Sequence, residues 1–227
     1  METTIQRSYF PILLQLKNQS CLVLGGGRVA CRKTVSMLQA GARVTVISPE
    51  VVSELMEMAR DEKINWIQRP YQYGDLAGYR IAFAATNQPE VHEACRKEAE
   101  SCGTLLNVVD VTDLCDFIMP AVHQQGDLLM MVCSQGTSPM LSKRLRKELQ
   151  ERYGPEYGTL TTVMGELRLQ AFQDLQEIRQ RTRMFRYLIE EGPMDEALKL
   201  PEAEARELLW QAYRVHLKEI LDQQINP

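Results

Sequence analysis

Histidine is scarce in this chain: His92, His123 and His216 are the only three in 227 residues. Little is left from which to build an imidazole-rich metal centre. His92 and His216 fall on expected helices and read as structural or surface residues. His123 has Cys115 and Cys133 near it in sequence, but their spacing matches no structural zinc pattern, so no metal site is expected. The six cysteines (Cys21, Cys31, Cys95, Cys102, Cys115, Cys133) include no C-x-x-C pair. They read as reduced, mostly buried thiols. Basic charge is not in excess either: 26 Lys and Arg against 30 Asp and Glu leave a net charge of −4. That balance excludes a general nucleic-acid binder, which needs a concentrated basic surface. No apolar run reaches membrane-spanning length. Met1 to Arg7 lacks the apolar core of a signal peptide. The expectation is a cytoplasmic protein without a membrane or nucleic-acid partner. There is no internal repeat and no low-complexity segment.

The chain does carry a glycine-rich turn in a specific context. Cys21 to Leu24 is an apolar run that reads as a buried strand, and Gly25-Gly26-Gly27 follows. Val29, Ala30, Thr34, Met37 and Leu38 then recur at helical spacing up to Gly41. Gly25-x-Gly27-x-x-Ala30 is a dinucleotide fingerprint with Ala in its third place. Gly25 permits the tight turn, Gly27 a close approach to a pyrophosphate, and Ala30 the packing of helix on strand. The helix N-terminus offers free N–H groups to phosphates.

The first half alternates strands and helices. Expected strands are Pro11–Leu16, Cys21–Leu24, Arg43–Ile47, Ile64–Ile67, Arg80–Ala85 and Thr104–Val109, with helices over Val29–Gln39, Val51–Arg60 and Pro89–Ser101. That order implies an α/β fold with a parallel sheet flanked by helices. Its ligand should lie beyond the carboxyl ends of the strands. Asp116–Pro120 and Leu128–Cys133 read as two more strands around a turn at 123–127. A basic helix, Met140–Arg152, is broken by Tyr153-Gly154-Pro155, and the remainder is helical. Leu167, Ala171, Leu175, Ile178, Thr182 and Phe185 form one expected face. Leu209, Tyr213, Leu217 and Leu221 form another.

Several residues could carry chemistry. Asp110 follows a strand's carboxyl end, where a carboxylate can exchange a proton beside a cofactor. It reads equally as a turn residue. Ser48, Pro49 and Glu50 end the second strand, where an acid usually holds the ribose hydroxyls of NAD. No Arg follows to accept a 2′-phosphate, so NAD is favoured over NADP. Ser48 and Pro49 also fit a helix N-cap and first helical position. Ser134, Gly136, Thr137 and Ser138 precede the basic helix and could cradle an anion. Lys143 and Arg144, with Arg146 and Lys147, suit a polyanionic small molecule, or else a solvated face paired with Glu148 and Glu151. Arg179, Arg181, Arg183 and Arg186 read as a solvated face.

At this point the chain resembles the precorrin-2 dehydrogenase/sirohydrochlorin ferrochelatase family, which includes the N-terminal module of siroheme synthase. The resemblance is carried by Pro11–Leu13, Val23–Ala30, Ala84-Ala85-Thr86, Asn107–Asp110, Phe117–Ala121 and Ser134–Pro139, in family order and spacing. It implies NAD-dependent oxidation of precorrin-2 to sirohydrochlorin in a homodimer, with Fe²⁺ insertion as the second activity that some members of the family add. Asp110 corresponds to the family's key aspartate. The cofactor loop corresponds to Gly25, Gly26, Gly27, Arg28 and Val29 with Ser48, Pro49 and Glu50, and Thr86 joins it. Ser134 corresponds to a serine near the tetrapyrrole cleft. Arg28 departs from the smaller or acidic residues often found there, and the second-strand acid is displaced. The implied division is a Rossmann-like NAD-binding domain (1–112), a small α+β dimerisation and tetrapyrrole-cleft segment (113–152), and a helical C-terminal domain (153–227). The methyltransferase of the fused enzymes is not expected. The rival reading is a non-catalytic NAD-sensing module whose helical tail contacts a partner, which gives Asp110 and the Ser134 loop no role.

Overall fold

A computed structural model of the chain describes residues 9–225. The chain divides into two units, one up to Met119 and one from Pro120.

The first unit is a five-stranded sheet of β1 (Ser20–Leu24), β2 (Arg43–Ile47), β3 (Asn65–Ile67), β4 (Ile81–Ala84) and β5 (Leu105–Val108). Strand order is β3-β2-β1-β4-β5, and every pairing is parallel. Side chains of a strand alternate between faces, and here both faces are covered. Cys21, Val23, Val44, Val46, Ile81 and Phe83 pack with Ala30, Met37 and Leu55. These last three belong to α1 (Arg28–Gln39) and α2 (Ser53–Arg60). Leu22, Leu24, Ile47, Ala82, Ala84, Leu106 and Val108 pack on the other side with Cys95 and Ala99 of α3 (Pro89–Cys102). Burial on both faces is why the strands read as continuous apolar runs.

Two expected strands are absent. Pro11–Leu16 pairs with nothing, because β2 and β4 already flank β1. Phe10, Ile12 and Leu13 stand 86%, 58% and 69% exposed. Asp116–Pro120 is not a ladder strand, although its start runs along β5. Asp116 N–H donates to the Leu106 carbonyl (2.8 Å), and Leu106 N–H returns a bond to the Asp116 carboxylate (2.8 Å). Asn107 Nδ2 donates to the Phe117 carbonyl (2.8 Å). One backbone bond and two side-chain bonds thus cover this sheet edge in place of a ladder.

No helix connects β3 to β4. The loop is held by a fork of Arg69 on Asp75, two bonds of 2.7 Å, and by Glu98. This buried α3 carboxylate accepts from Tyr71 Oη and, at 2.6 Å, from Leu76 N–H. Burial, then the bond to Glu98, pushes the Tyr71 phenol far above its ordinary range.

The second unit opens with a two-stranded antiparallel hairpin, β6 (Ala121–Gln125) and β7 (Leu128–Val132). The turn is therefore Gly126-Asp127, and His123 to Gln125 are strand. Helices α4 (Pro139–Arg152), α5 (Pro155–Asp174), α6 (Ile178–Arg186), α7 (Met194–Ala197) and α8 (Glu202–Ile225) follow, with one π-helical turn at Tyr187–Glu191. Their core is Val163, Leu167, Ala171 and Leu175 against Met184, Leu188, Ala205, Leu209, Tyr213 and Ile220. Both expected helical faces shift. The chain breaks at Leu175, leaving Ile178 74% exposed while Met184 and Leu188 are buried. On α8 the buried stripe continues through His216 and Ile220, and Leu221 is 38% exposed. Tyr213 Oη donates to Asp174 (2.8 Å), tying α8 to α5.

The Glu98 arrangement makes a stability prediction. Glu98→Ala leaves the buried Leu76 N–H and the half-buried Tyr71 hydroxyl without an acceptor, at about 1–3 kcal/mol for a buried donor and less for a partly exposed one. Thermal unfolding should therefore show a loss of roughly 2–5 kcal/mol. A melting curve matching the parent protein would show that Glu98 does not hold the loop.

Candidate functional site

The strand order reverses between β1 and β4, and open sheets of this kind bind ligands at that switch point, beyond the carboxyl ends. The turns following β1, β2, β4 and β5 all lie along this edge, and they carry Gly25–Val29, Ser48–Glu50, Thr86 and Asp110.

The turn after β1 is shaped by backbone approach. Gly25 has φ +118, and a Cβ there would stand 2.3 Å from the Ala85 carbonyl oxygen. A Cβ on Gly26 would stand 1.8 Å from the Glu50 carbonyl oxygen. Gly25 N–H donates to Ile47 (2.9 Å), and the Gly26 carbonyl accepts from Val52 N–H (2.8 Å). Gly27 differs: a Cβ there would meet nothing within 4 Å. It is the N-cap of α1 and makes no side-chain cap bond. The first N–H groups of α1 therefore meet open space with no capping side chain, the arrangement a pyrophosphate requires. Ala30 is fully buried under the turn. These residues fit a dinucleotide.

At the end of β2, the Ser48 hydroxyl donates to the Glu50 carbonyl (2.6 Å). Trp66 Nε1 donates to the Ser48 carbonyl (3.0 Å). The N-cap reading of Ser48 and Pro49 does not hold, because Val52 caps α2, which begins at Ser53. The loop turns aside to pack on Gly26. The Glu50 carboxylate is exposed. Glu54, not singled out from the sequence, stands nearby in the first turn of α2. Its own backbone N–H and the Ser53 hydroxyl (3.0 Å) hold its carboxyl below the usual range, and the Arg28 charge adds to this.

After β4, the Thr86 hydroxyl accepts from Gln88 N–H (3.3 Å). Buried His92 fixes the Thr86 carbonyl through Nε2 at 2.8 Å. After β5, Val111 N–H closes a turn onto the Val108 carbonyl (3.2 Å). Asp110 occupies it with φ 63, its side chain exposed. Asp110 is a turn residue, and it lies on the carboxyl edge of the sheet.

Lys33 was missed by the sequence reading. It lies half-buried on α1, three residues beyond Ala30, its Nζ 5.0 Å from the Phe83 ring centroid. Burial pushes its pKa down and Arg32 adds to that, while the charges of Asp110 and Cys115 oppose it. The available signal was an amine on the stripe of Ala30, Thr34 and Met37.

The second unit carries the other candidates. Ser134 Oγ accepts from Ser138 N–H (3.0 Å) and from the Ser142 hydroxyl (3.1 Å). The Thr137 hydroxyl donates to the Ser134 carbonyl (2.6 Å), and Ser138 caps α4 by accepting from Leu141 N–H (3.3 Å). Gly136 has φ +86 within this loop. Lys143 and Arg144 are exposed, and Arg144 pairs with Glu148 at 3.0 Å. His123 Nε2 lies 2.7 Å from the Tyr153 carbonyl, so that nitrogen is the protonated one. No group of three metal-ligating side chains occurs among the described residues.

Strand order and glycine turn define the first unit as a dinucleotide-binding domain of the Rossmann class. A family model described as putative NAD(P)-binding matches residues 12–121. The chain is 34% identical over 204 residues to a siroheme synthase of Methylococcus capsulatus, covering 90% of this chain and 43% of that one. It is 35% identical over 199 residues to that of Chromobacterium violaceum, covering 87% and 42%. It thus spans less than half the length of these relatives. The solved structure of SirC, a precorrin-2 dehydrogenase, superposes with a TM-score of 0.75 at 25% identity, over 91% of this chain and 100% of that one. The chain belongs to the family that precorrin-2 dehydrogenase shares with the matching part of the siroheme synthases.

The glycines make opposite predictions. Gly27→Val should fold and lose NAD⁺ affinity by at least about ten-fold, or ~1.4 kcal/mol, because its side chain fills the space the phosphates need. Gly26→Val should lose thermal stability first, because its Cβ meets backbone. Calorimetric titration and melting curves check both, and unchanged NAD⁺ affinity in folded Gly27→Val would remove the assignment.

Proposed function

We propose that the chain oxidises precorrin-2 to sirohydrochlorin with NAD⁺. The observation that carries this is the dinucleotide turn and Asp110 on one sheet edge, in a chain that matches a precorrin-2 dehydrogenase over that protein's full length. NAD⁺ supplies a hydride acceptor when bound. Gly25, Gly26 and Gly27 shape the turn, the α1 N-terminus takes the pyrophosphate, and Ser48, Pro49, Glu50, Thr86, Arg28 and Val29 line the rest. Glu50 and the lack of a following Arg favour NAD⁺ over NADP⁺. The reaction, precorrin-2 + NAD⁺ → sirohydrochlorin + NADH + H⁺, releases one proton per hydride. Asp110 takes that proton. Ser134, Gly136, Thr137, Ser138, Lys143 and Arg144 belong to the tetrapyrrole cleft in this reading. Fe²⁺ insertion is proposed on the family resemblance alone, with Asp110 receiving the displaced pyrrole protons.

The same reading includes a cytoplasmic homodimer whose 113–152 segment supplies the interface. No described helix is long and apolar enough to cross a membrane. The hairpin supports the interface. Cross-strand partners Val122 and Met131 are 40% and 43% exposed, with Leu129 on the same face at 37%. A two-stranded sheet with an open apolar face is marginal alone, and a second copy of the chain covers it. Replacing both Val122 and Met131 by Asp should convert dimer to monomer in analytical ultracentrifugation. A double variant that stays dimeric would exclude this face.

The chemistry is tested with Asp110→Asn, since Asn tolerates positive φ. It should melt and bind NAD⁺ like the parent while kcat for precorrin-2 falls roughly 10²–10⁴-fold, followed by absorbance. A near-parental kcat would leave Asp110 a turn residue. With sirohydrochlorin and Fe²⁺, loss of metal insertion in the same variant would assign both steps to one base.

A further inference from the structure

Lys33 is the cation at this edge that the proposed mechanism leaves without work. Its ammonium sits over Phe83, whose ring is only 2% exposed and is held edge-on by Phe117, centroids 5.4 Å apart at 83°. The aromatic pair therefore fixes the position of the charge. An ammonium has three N–H donors. Among the described residues no carboxylate forms an ion pair with Nζ, and the ammonium rests on the ring face. Three other cations of this unit have carboxylate partners. Arg69 forks onto Asp75, Arg96 binds Asp116 and Glu100, and Lys63 binds Asp61. Lys33 is thus a half-buried positive charge, preplaced by packing and short of oxygen partners. The nearby carboxylate whose charge it feels is Asp110, the proposed base.

We propose that Lys33 anchors the substrate by binding one of its carboxylates beside Asp110. The inference rests on the precorrin-2 reading above, in which the substrate is a polycarboxylate. An acidic substrate gives the ammonium the oxygens it lacks. A carboxylate held at Nζ would keep the ring system on the sheet edge that carries Asp110. A bound carboxylate here replaces water around a charge that the protein has already partly desolvated, which makes the pairing stronger than one on an exposed helix.

The test compares the parent with Lys33→Met, which keeps the stem over Phe83, and Lys33→Arg, which keeps the charge. Sirohydrochlorin binding is titrated by absorbance, and precorrin-2 oxidation is measured at saturating NAD⁺. Lys33→Met should weaken sirohydrochlorin binding and raise KM about ten- to hundred-fold, the range of a lost hydrogen bond to a charged group. NAD⁺ affinity should hold, the response of KM to ionic strength should shrink, and Lys33→Arg should recover much of the loss. Should Lys33→Met fail to fold, acetylation of Lys33 in the parent protein is followed by mass spectrometry. Saturating sirohydrochlorin should protect the amine, and an unchanged labelling rate overturns the anchor. An unchanged KM in folded Lys33→Met overturns it too. So does a shifted acid limb of the kcat profile at constant KM, which would make Lys33 a charge partner of Asp110 instead. If the parent neither binds sirohydrochlorin nor oxidises precorrin-2, the functional reading falls and takes the anchor with it. If the parent does both and Lys33→Met matches it, only the anchor falls.

Discussion

The contact on which the carboxyl edge depends is backbone against backbone. Gly25 lies under the Ala85 carbonyl and Gly26 under the Glu50 carbonyl, at separations no Cβ could occupy. These two approaches tie the turn after β1 to those after β4 and β2. Hydrogen bonds from Gly25 to Ile47 and from Val52 to Gly26 fix the depth of the contact. Side chains elsewhere stabilise the sheet, but these glycines decide where α1 begins and how its N-terminus is aimed. The fingerprint glycines therefore have different duties. The first two hold neighbouring strand ends together, and Gly27 leaves room for a ligand.

The remaining turns build on that frame by removing polar groups from competition. His92 takes the Thr86 carbonyl, Ser48 takes the Glu50 carbonyl, and Asp116 takes the Leu106 N–H. Each bond satisfies a backbone group that a loop would otherwise expose. The α1 N–H groups at Gly27 receive no such side chain. The polar groups of these turns are thus occupied, and the α1 N-terminus, with open space in front of Gly27, lies among them.

Legibility in the sequence followed the physical range of each signal. Strands β1, β2, β4 and β5 were readable because burial on both faces demands unbroken apolar runs. The α1 turn was readable because its glycines are local requirements. Pro11–Leu16 has the same apolar composition yet joins no ladder, because β1, the strand it leads into, is already flanked by β2 and β4, and strand pairing is a property of the whole sheet. Asp116 and Asn107 imitate a strand with side-chain bonds, which no periodicity reveals. The first C-terminal face failed at the break at Leu175, after which a continuous helical period loses its phase; on α8 the buried stripe passes to His216 and Ile220 instead of Leu221. Lys33 and Glu54 went unnoticed because a lysine or glutamate in a helix looks solvated until its neighbours are known.

Asp110 shows how the turn and the chemistry are joined. Asn18, Glu62 and Gln135 also hold positive φ, so the backbone angle alone marks nothing. In each such place glycine would be the less strained residue, and an acid is kept at this one on the sheet edge. The turn closed by Val111 on Val108 takes the chain away from β5, while the parallel ladder holds β5 beside β4. A left-handed residue at that corner leaves its carboxylate exposed on the edge where the dinucleotide turn opens. The same strand pairing that buries Phe83 sets the ring on which Lys33 rests. Asp110, Lys33 and the glycine turn thus take their positions from three adjacent strands, β5, β4 and β1, and from the sheet register that fixes them together.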